Sequence, residues 1–584
     1  MCIRRLVKIH LLVLPWLLAG LLAAPLGSQT AVPNTAPAES ETWFGTLDAD
    51  LRHFRFALEL QREAGGPWAG ELLSLDEGER RFPLAQLVRT DEHLNFEIAA
   101  SGARFEGQVD ASAQRVSGTW RQRNAELELA FERVASLPDE EPLALWTGQI
   151  NAVIQKLDVA FRQLKNGEWR FDSLSQKAGG FVATHQREGQ QITLEVPALQ
   201  AKFSGTLHAE SNEIVGKWQQ NFISLDLTLH ESQSNRSKMP QPHRPQTPQP
   251  PFPYAVREVE FANPQAGIRL SGTLTQPEVA EPVPALVLIS GSGPQDRNET
   301  IADHQPFWVL ADHFTRRGIA VLRFDDRGVG GSQGAQESAT SLDFANDVRA
   351  AVRFLREQPG IDPERIGLCG HSEGAAIGSL VAVDDSRIAL LIMMAGAGVS
   401  GERILMSQSK LVLQAADVPA EEIERQSQMQ RILIDLAKQQ PLPSVEEYTR
   451  QAVQALAPLL SDEEKSTARG EAMIRASAAQ LTSPWFQFFL AYDPSTTLER
   501  LRCPVLVLVG EKDLQVDPEL NLPPITAALE RAGSADHRVE RLPNLNHLFQ
   551  NCRTGGLTEY QELEETIHPP VLKLMTDWIL AQVN

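Results

Sequence analysis

Cysteine is scarce, 4 in 584 residues, and no CxxC or HExxH spacing occurs. That excludes a scaffold built on disulfides and gives a zinc site no support. Positive charge is in deficit: 54 Lys and Arg stand against 75 Asp and Glu, a formal charge of -21. A nucleic-acid binder needs a basic face to displace counterions, so that class is excluded. Glycine, at 39 residues, follows no period, which rules out a collagenous chain. The one long apolar run, residues 11–24, is broken by Pro15 and is short of the roughly 20 residues that span a bilayer. What is present is an ordinary globular composition, 42% hydrophobic and 22% charged. At roughly 100–200 residues per domain, the length suits about three domains.

Arg4, Arg5 and Lys8 precede the apolar run, and small and polar residues follow it. This is the order of a secretory signal peptide, read over residues 1–28 with cleavage between Ala23 and Gln29. Cys2 lies too early for lipid attachment after that run. The mature protein is expected to be soluble, secreted or periplasmic, and without stable membrane insertion. Cys369, Cys503 and Cys552 remain, an odd set that leaves at least one thiol free or intermolecular.

Residues 41–135 and 143–232 read as two copies of one all-β unit. Trp43-x-Gly45 matches Trp146-x-Gly148, and Trp68 matches Trp169. Phe105, Gly107, Gly118, Trp120, Leu127 and Leu129 match Phe203, Gly205, Gly216, Trp218, Leu225 and Leu227 at a constant offset. Alternation such as Leu-Glu-Leu-Ala-Phe is strand patterning with one buried face, so each copy is expected to be a small antiparallel barrel or sandwich. The pair carries no charged constellation. It reads as a structural or substrate-presenting appendage, with a ligand groove at Trp68 or Trp169 as the alternative. Residues 233–253 are polar and proline-dense, which predicts an extended linker.

From residue 254 the pattern changes. After an opening hairpin at 256–261 and 268–274, short apolar runs at 285–289, 320–324, 366–369, 389–394 and 505–509 alternate with helical stretches. That is the pattern of a largely parallel sheet covered on both faces, an α/β domain over residues 254–584. At the end of the run 366–369 stands Gly370-His371-Ser372-Glu373-Gly374. GxSxG alone is a weak signal, but here it sits between a strand and a helix. In such a turn the serine is held on strained backbone, and the residues two before and two after it must be small.

An acid and a histidine should follow, in that order. Asp513 lies on the loop after strand 505–509, with Asp517 its rival; Asp517 also reads as the N-cap of a helix starting at Pro518. His547 lies on the loop after a candidate strand at 538–542, and its rival His568 reads as a helix start. Ser372, His547 and Asp513 would then act as nucleophile, base and orienting acid. The oxyanion donors are expected from the backbone N–H of Glu373 and of Ser292, in the glycine-rich loop after strand 285–289.

Several further stretches carry a family likeness: Ser-Gly-Ser-Gly-Pro-Gln-Asp-Arg-Asn at 290–298, Arg-Phe-Asp-Asp-Arg-Gly-Val-Gly-Gly-Ser at 323–332 and Asn-His-Leu-Phe-Gln at 546–550. With the Gly-His-Ser-Glu-Gly motif, residues 255–584 resemble the bacterial α/β-hydrolase carboxylesterases, in their serine-aminopeptidase-like branch. The resemblance implies an eight-stranded α/β-hydrolase fold, no cofactor, and hydrolysis of small-molecule esters with short acyl chains. The Asp325-Asp326-Arg327-Gly328 loop reads as a turn fixed beside the site.

About a hundred residues separate Met394 from Cys503. Helical spacing at 405–416, 421–436 and 445–459 predicts a cap over the serine, inserted at about 400–495. Its aromatic end offers Trp485, Phe486 and Phe489 as an acyl pocket, with cap-to-core packing as the plain alternative. The leading expectation is an exported serine esterase. A peptidase or thioesterase on the same scaffold is the near alternative, and a non-catalytic binding protein the distant one.

Overall fold

Alternating apolar and polar residues become extended chain through most of residues 39–232. The computed structural model describes residues 39–583 except 50–51, 63–65, 78–79, 99–101, 123–124, 137–141, 152–155, 177, 209, 221–222, 233–242, 461–467 and 534–535. Residues 1–28, read as a signal peptide, lie outside the described residues. The described residues fall into two compact units, 39–232 and 243–583.

In the first unit the strands from Glu39–Ala49 to Ile223–Glu231 join in one barrel-like hydrogen-bonded system. Two apolar cores fill it. One gathers Trp43, Phe96, Phe105 and Phe131, the other Phe161, Phe171, Phe203 and Trp218. The residues picked out by pattern occupy like places in the ladders: Gly107 faces Gly118, and Gly205 faces Gly216. Trp43 to Gly45 pairs with Arg133 to Phe131, and Trp146 to Gly148 with Glu231 to Leu229. Trp68 lies under the Arg62 guanidinium at 4.7 Å, and Trp169 stacks on His185 at 4.7 Å.

Both stretches lie in one compact unit. Phe181 of the second pairs with Arg52 of the first, and buried charges are pooled beside that seam. Arg162 bonds Asp172 at 2.5 Å and lies 3.9 Å from Asp76, which Arg55 holds through Nε at 3.0 Å. A buried charge is tolerated when paired, and removing one partner exposes the full desolvation cost of the other. Arg162→Ala is therefore expected to destabilise this unit by about 3 kcal/mol in urea unfolding. An unchanged midpoint would show that Asp172 does not depend on Arg162.

The second unit is an eight-stranded sheet. Its strands are β1 (Ala255–Asn263), β2 (Ile268–Gln276), β3 (Val283–Ile289), β4 (Ala320–Phe324), β5 (Ile361–His371), β6 (Ile388–Met394), β7 (Val505–Gly510) and β8 (His537–Leu542). The order is β1-β2-β4-β3-β5-β6-β7-β8, antiparallel through the β1–β2 hairpin and the β2–β4 pair, and parallel from β4 onward. Both faces are buried, which is why the central strands are continuously apolar. Val287, Ile289, Val507 and Val509 point to one core. Leu286, Leu288, Leu506 and Leu508 point to the other. Helices α1 (Pro306–Thr315), α2 (Ser341–Arg356) and α3 (Glu373–Asp384) alternate with these strands.

The insertion between β6 and β7 is helical, as its spacing predicts. It contains α4 (Gly401–Ala415), α5 (Ala420–Ala437), α6 (Val445–Leu456), α7 (Ala468–Leu481) and α8 (Pro484–Ala491), around Met429, Leu433, Tyr448 and Phe486. No helix among the described residues is long and apolar enough to cross a membrane.

The linker reading for 233–253 changes in its second half. Residues 233–242 lie outside the described residues, whereas 243–253 belong to the second unit. Arg244 donates to the carbonyls of Leu563, Gln561 and Ala302, and Gln246 exchanges hydrogen bonds with Thr566 and Ile567. Polar side chains that suggest a solvated spacer instead satisfy loop carbonyls of the second unit.

Candidate active site

The sharp turn after β5 is built from close approach. A Cβ on Gly370 would lie 2.1 Å from the Gly374 carbonyl oxygen, and one on Gly374 would lie 2.1 Å from the Ile289 oxygen. Between them Ser372 takes φ 54° and ψ -116° and caps α3, with its N–H donated to the Met394 oxygen at 2.8 Å. A serine with positive φ costs about 1–3 kcal/mol, which the packed glycines and β6 hold in place.

Asp513 and His547 come together on the loops after β7 and β8. His547 Nδ1 lies 2.8 Å from Asp513 Oδ2, and both residues are buried. Asp513 Oδ1 accepts the N–H groups of Gln515 and Val516, each at 2.8 Å, so its carboxylate is fixed as well as buried. The His547 loop braces itself through Asn546, whose Oδ1 accepts the N–H groups of Leu548 and Gln550. The rivals are otherwise engaged. Asp517 caps the helix Pro518–Ala532 through the Glu519 N–H at 3.0 Å, and His568 Nδ1 lies 3.0 Å from Glu565.

The loop after β3 lies against the serine: a Cβ on Gly291 would be 3.3 Å from the Ser372 Cβ. The Gly291 N–H is used, donated to Glu299 Oε1 at 2.7 Å. That leaves Ser292 as the next amide along. Glu373 is the first residue of α3, where an N–H has no intrahelical carbonyl to meet. The ends of the loop are held from the Asp325–Gly328 turn. Asp326 accepts from the Ser290 hydroxyl at 2.7 Å and the Gln295 N–H at 3.0 Å, and desolvation pushes its carboxyl well above the usual range. Asp325 binds Arg297 at 2.7 Å.

The Glu373 side chain joins the helical insertion to the sheet's own helices. It accepts from Ser341 at 2.6 Å and from the Trp485 indole N–H at 2.8 Å, with Ser292 a further donor. Desolvation raises its pKa against these donors. Trp485 stacks on Phe489 at 5.3 Å, beside this junction. Phe486 is buried in the cap core, so packing accounts for it. Loss of the Trp485 N–H in Trp485→Phe removes a hydrogen bond to a carboxylate, worth about 1.5–3 kcal/mol. The variant is expected to unfold at lower urea, with stability reduced by about 1.5–3 kcal/mol. An unchanged midpoint would show that the Glu373 carboxylate does not depend on Trp485.

Sequence reasoning did not single out Glu299 or His371. The histidine stood inside the motif, but Glu299 has no periodic or spacing signal; only the fold brings it to the serine turn. Cys369 and Cys552 are free thiols, and burial pushes Cys503 and Cys552 up to about 11. No group of three or more His, Cys, Asp or Glu side chains that could hold a metal occurs among the described residues.

Residues 305–551 match the family model described as serine aminopeptidase, S33. The chain is 26% identical over 283 residues to esterase EstD of Thermotoga maritima, which covers 48% of this chain and 58% of that protein. It is 38% identical over 136 residues to thiohydrolase aneE of Aspergillus aculeatus, covering 23% and 40%. The chain thus spans about half the length of these curated relatives. A solved esterase from Pyrococcus furiosus aligns with 56% of this chain and 92% of its own at 14% identity and a TM-score of 0.36.

Proposed function

We propose that this protein is an exported serine hydrolase cleaving carboxylic esters of small molecules, with short acyl chains preferred, a reading that the family match over residues 305–551 supports. One observation carries the reading: a buried Asp513–His547 pair at 2.8 Å and a serine on a strained turn, all at the carboxyl ends of parallel strands of one sheet. The esterase named among the relatives supports it. Sequence alone supports export, through the basic and apolar order of residues 1–28.

In this mechanism His547 Nε2 takes the Ser372 hydroxyl proton as Oγ attacks the ester carbonyl carbon. The tetrahedral oxyanion is held by the N–H groups of Ser292 and Glu373, each typically worth about 2.7–4 kcal/mol. The protonated imidazole gives its proton to the leaving alkoxide and alcohol departs. Water then attacks the acyl-serine by the same route, releasing acid. Asp513 holds the ring with its Nδ1 proton inward and stabilises the imidazolium.

A thioester substrate is the second reading, favoured by the named thiohydrolase at 38% identity. A thiolate leaves without needing protonation, so the same groups suffice. The test is labelling of the folded protein by a fluorophosphonate probe, followed by a panel of acyl esters, acyl thioesters and aminoacyl anilides. Labelling with fastest turnover of short acyl esters is expected. No labelling would defeat the hydrolase reading, and faster thioester or anilide turnover would replace the substrate class.

For the first unit we propose a duplicated β module acting as a structural or substrate-presenting appendage. The like ladders at Gly107–Gly118 and Gly205–Gly216 support duplication.

A further inference from the structure

Glu299 and His371 are 1% and 4% exposed, and acyl transfer as derived above uses neither. Glu299 Oε1, which accepts the Gly291 N–H at 2.7 Å, also lies 2.9 Å from His371 Nδ1. On the far side of the ring, His371 Nε2 lies 3.0 Å from the His547 carbonyl oxygen. A carboxylate and a carbonyl have no proton to give, so each ring nitrogen must carry one. The ring is then an imidazolium, neutralised by Glu299 inside the protein, where charge persists only when paired and hydrogen-bonded. Its environment is well defined. Glu299 faces it from the loop after β3, and Asp513 and His547 from the loops after β7 and β8. Cys369 is on its own strand, and its neighbours Met394 and Phe549 bring no charge. Burial opposes the ring's charge, but the Glu299 carboxylate outweighs it, and the pKa of His371 is raised. Glu299 itself holds a left-handed φ of 51°, a cost of about 1–3 kcal/mol that only a determined position sustains.

We infer that Glu299 and His371 are a positioning pair, a carboxylate-held imidazolium that ties the Gly291–Ser292 amide loop to the His547 backbone across the strand end that carries Ser372. The inference rests on the proposed roles of Ser372, His547 and the Ser292 amide. One set of bonds fixes the distance between the oxyanion donor and the base, two parts that come from opposite sides of the nucleophile. The sign of its pH dependence follows. Below the raised midpoint the ring keeps both protons and holds both loops. As pH rises through the midpoint one proton leaves; the bond to the carboxylate is the stronger, so the one to the His547 carbonyl is lost. Glu299→Gln keeps the size of the side chain and an oxygen for the Gly291 N–H, but removes the counter-charge. Burial then lowers the His371 pKa, and the bond to His547 fails at lower pH.

The test compares full-length wild type with Glu299→Gln in two measurements. The first is the rate of fluorophosphonate labelling from about pH 5 to about pH 10. In the wild type the rate is expected to hold past the ordinary histidine range and then fall reversibly. In the variant that fall should come about one pH unit lower or more. Coincident midpoints would overturn the inference, since a merely structural role would change the rate without moving its alkaline limb. The second measurement reads the ring-nitrogen NMR shifts of His371, expected to be cationic at neutral pH in the wild type and neutral in the variant. A neutral wild-type ring overturns the pair whatever the substrate is, and even if the variant does not fold. Absence of labelling in a protein whose His371 is cationic would defeat the reading of Ser372 instead and leave the pair standing.

Discussion

Ser372→Ala is expected to lower turnover of a p-nitrophenyl acyl ester by about ten-thousand-fold or more, with the fold intact. The alcohol oxygen is the only atom of the proposed mechanism that bonds to substrate, and nothing else at the turn replaces it. Alanine fits the turn, because the neighbouring crowding falls on Gly370 and Gly374 rather than on the side chain of residue 372. The positive φ of 54° is a strain that serine and alanine share. Unfolding midpoints of the two proteins should therefore agree while activity and fluorophosphonate labelling vanish together. Turnover near the wild-type rate would dismiss Ser372 as nucleophile, whatever the motif suggests.

Asp513→Asn is the second large effect, expected to cost kcat about ten-thousand-fold, with KM nearly unchanged. The substitution keeps Oδ1 for the N–H groups of Gln515 and Val516, so the loop should keep its shape. What changes is the atom 2.8 Å from His547 Nδ1, which becomes an amide that donates where a carboxylate accepted. The ring must then carry its proton on Nε2, the nitrogen meant to receive the proton of Ser372. Asp517→Asn is the control. That residue accepts from the Glu519 N–H and the Ser407 hydroxyl, and its loss should be felt in stability rather than in kcat. A kcat loss for Asp517→Asn matching that of Asp513→Asn would show that the two acids were wrongly distinguished.

Local pattern reached far in this chain because the central strands of the second unit's sheet are buried on both faces. The runs at 285–289 and 505–509 read as continuous apolar stretches, and the structure extends them only to Val283–Ile289 and Val505–Gly510. The serine turn was legible for a related reason: Gly370 and Gly374 are required by contacts within the turn and with the adjoining strand end. Asp513 and His547 were reachable through their positions after apolar strands. Glu299 was not, since its bond to His371 spans 72 residues and follows no local period. The pooling of Arg55, Asp76, Arg162 and Asp172 was hidden in the same way, because each is unremarkable on its own strand. The fastening of 243–253 was missed for the opposite reason: proline density promised a free spacer and concealed two polar anchors.

Those anchors bear on where the gene can be trimmed. Arg244 and Gln246 grip the stretch 561–567 from outside, and that stretch in turn holds Gln550 and Asn551, a few residues beyond His547. A fragment of the second unit begun at Tyr254, where the alternating strand and helix pattern starts, would discard both grips and loosen the surroundings of His547 from behind. Begun ten or so residues earlier, it would keep them. An inactive short fragment would then report a misplaced cut rather than a need for the β module.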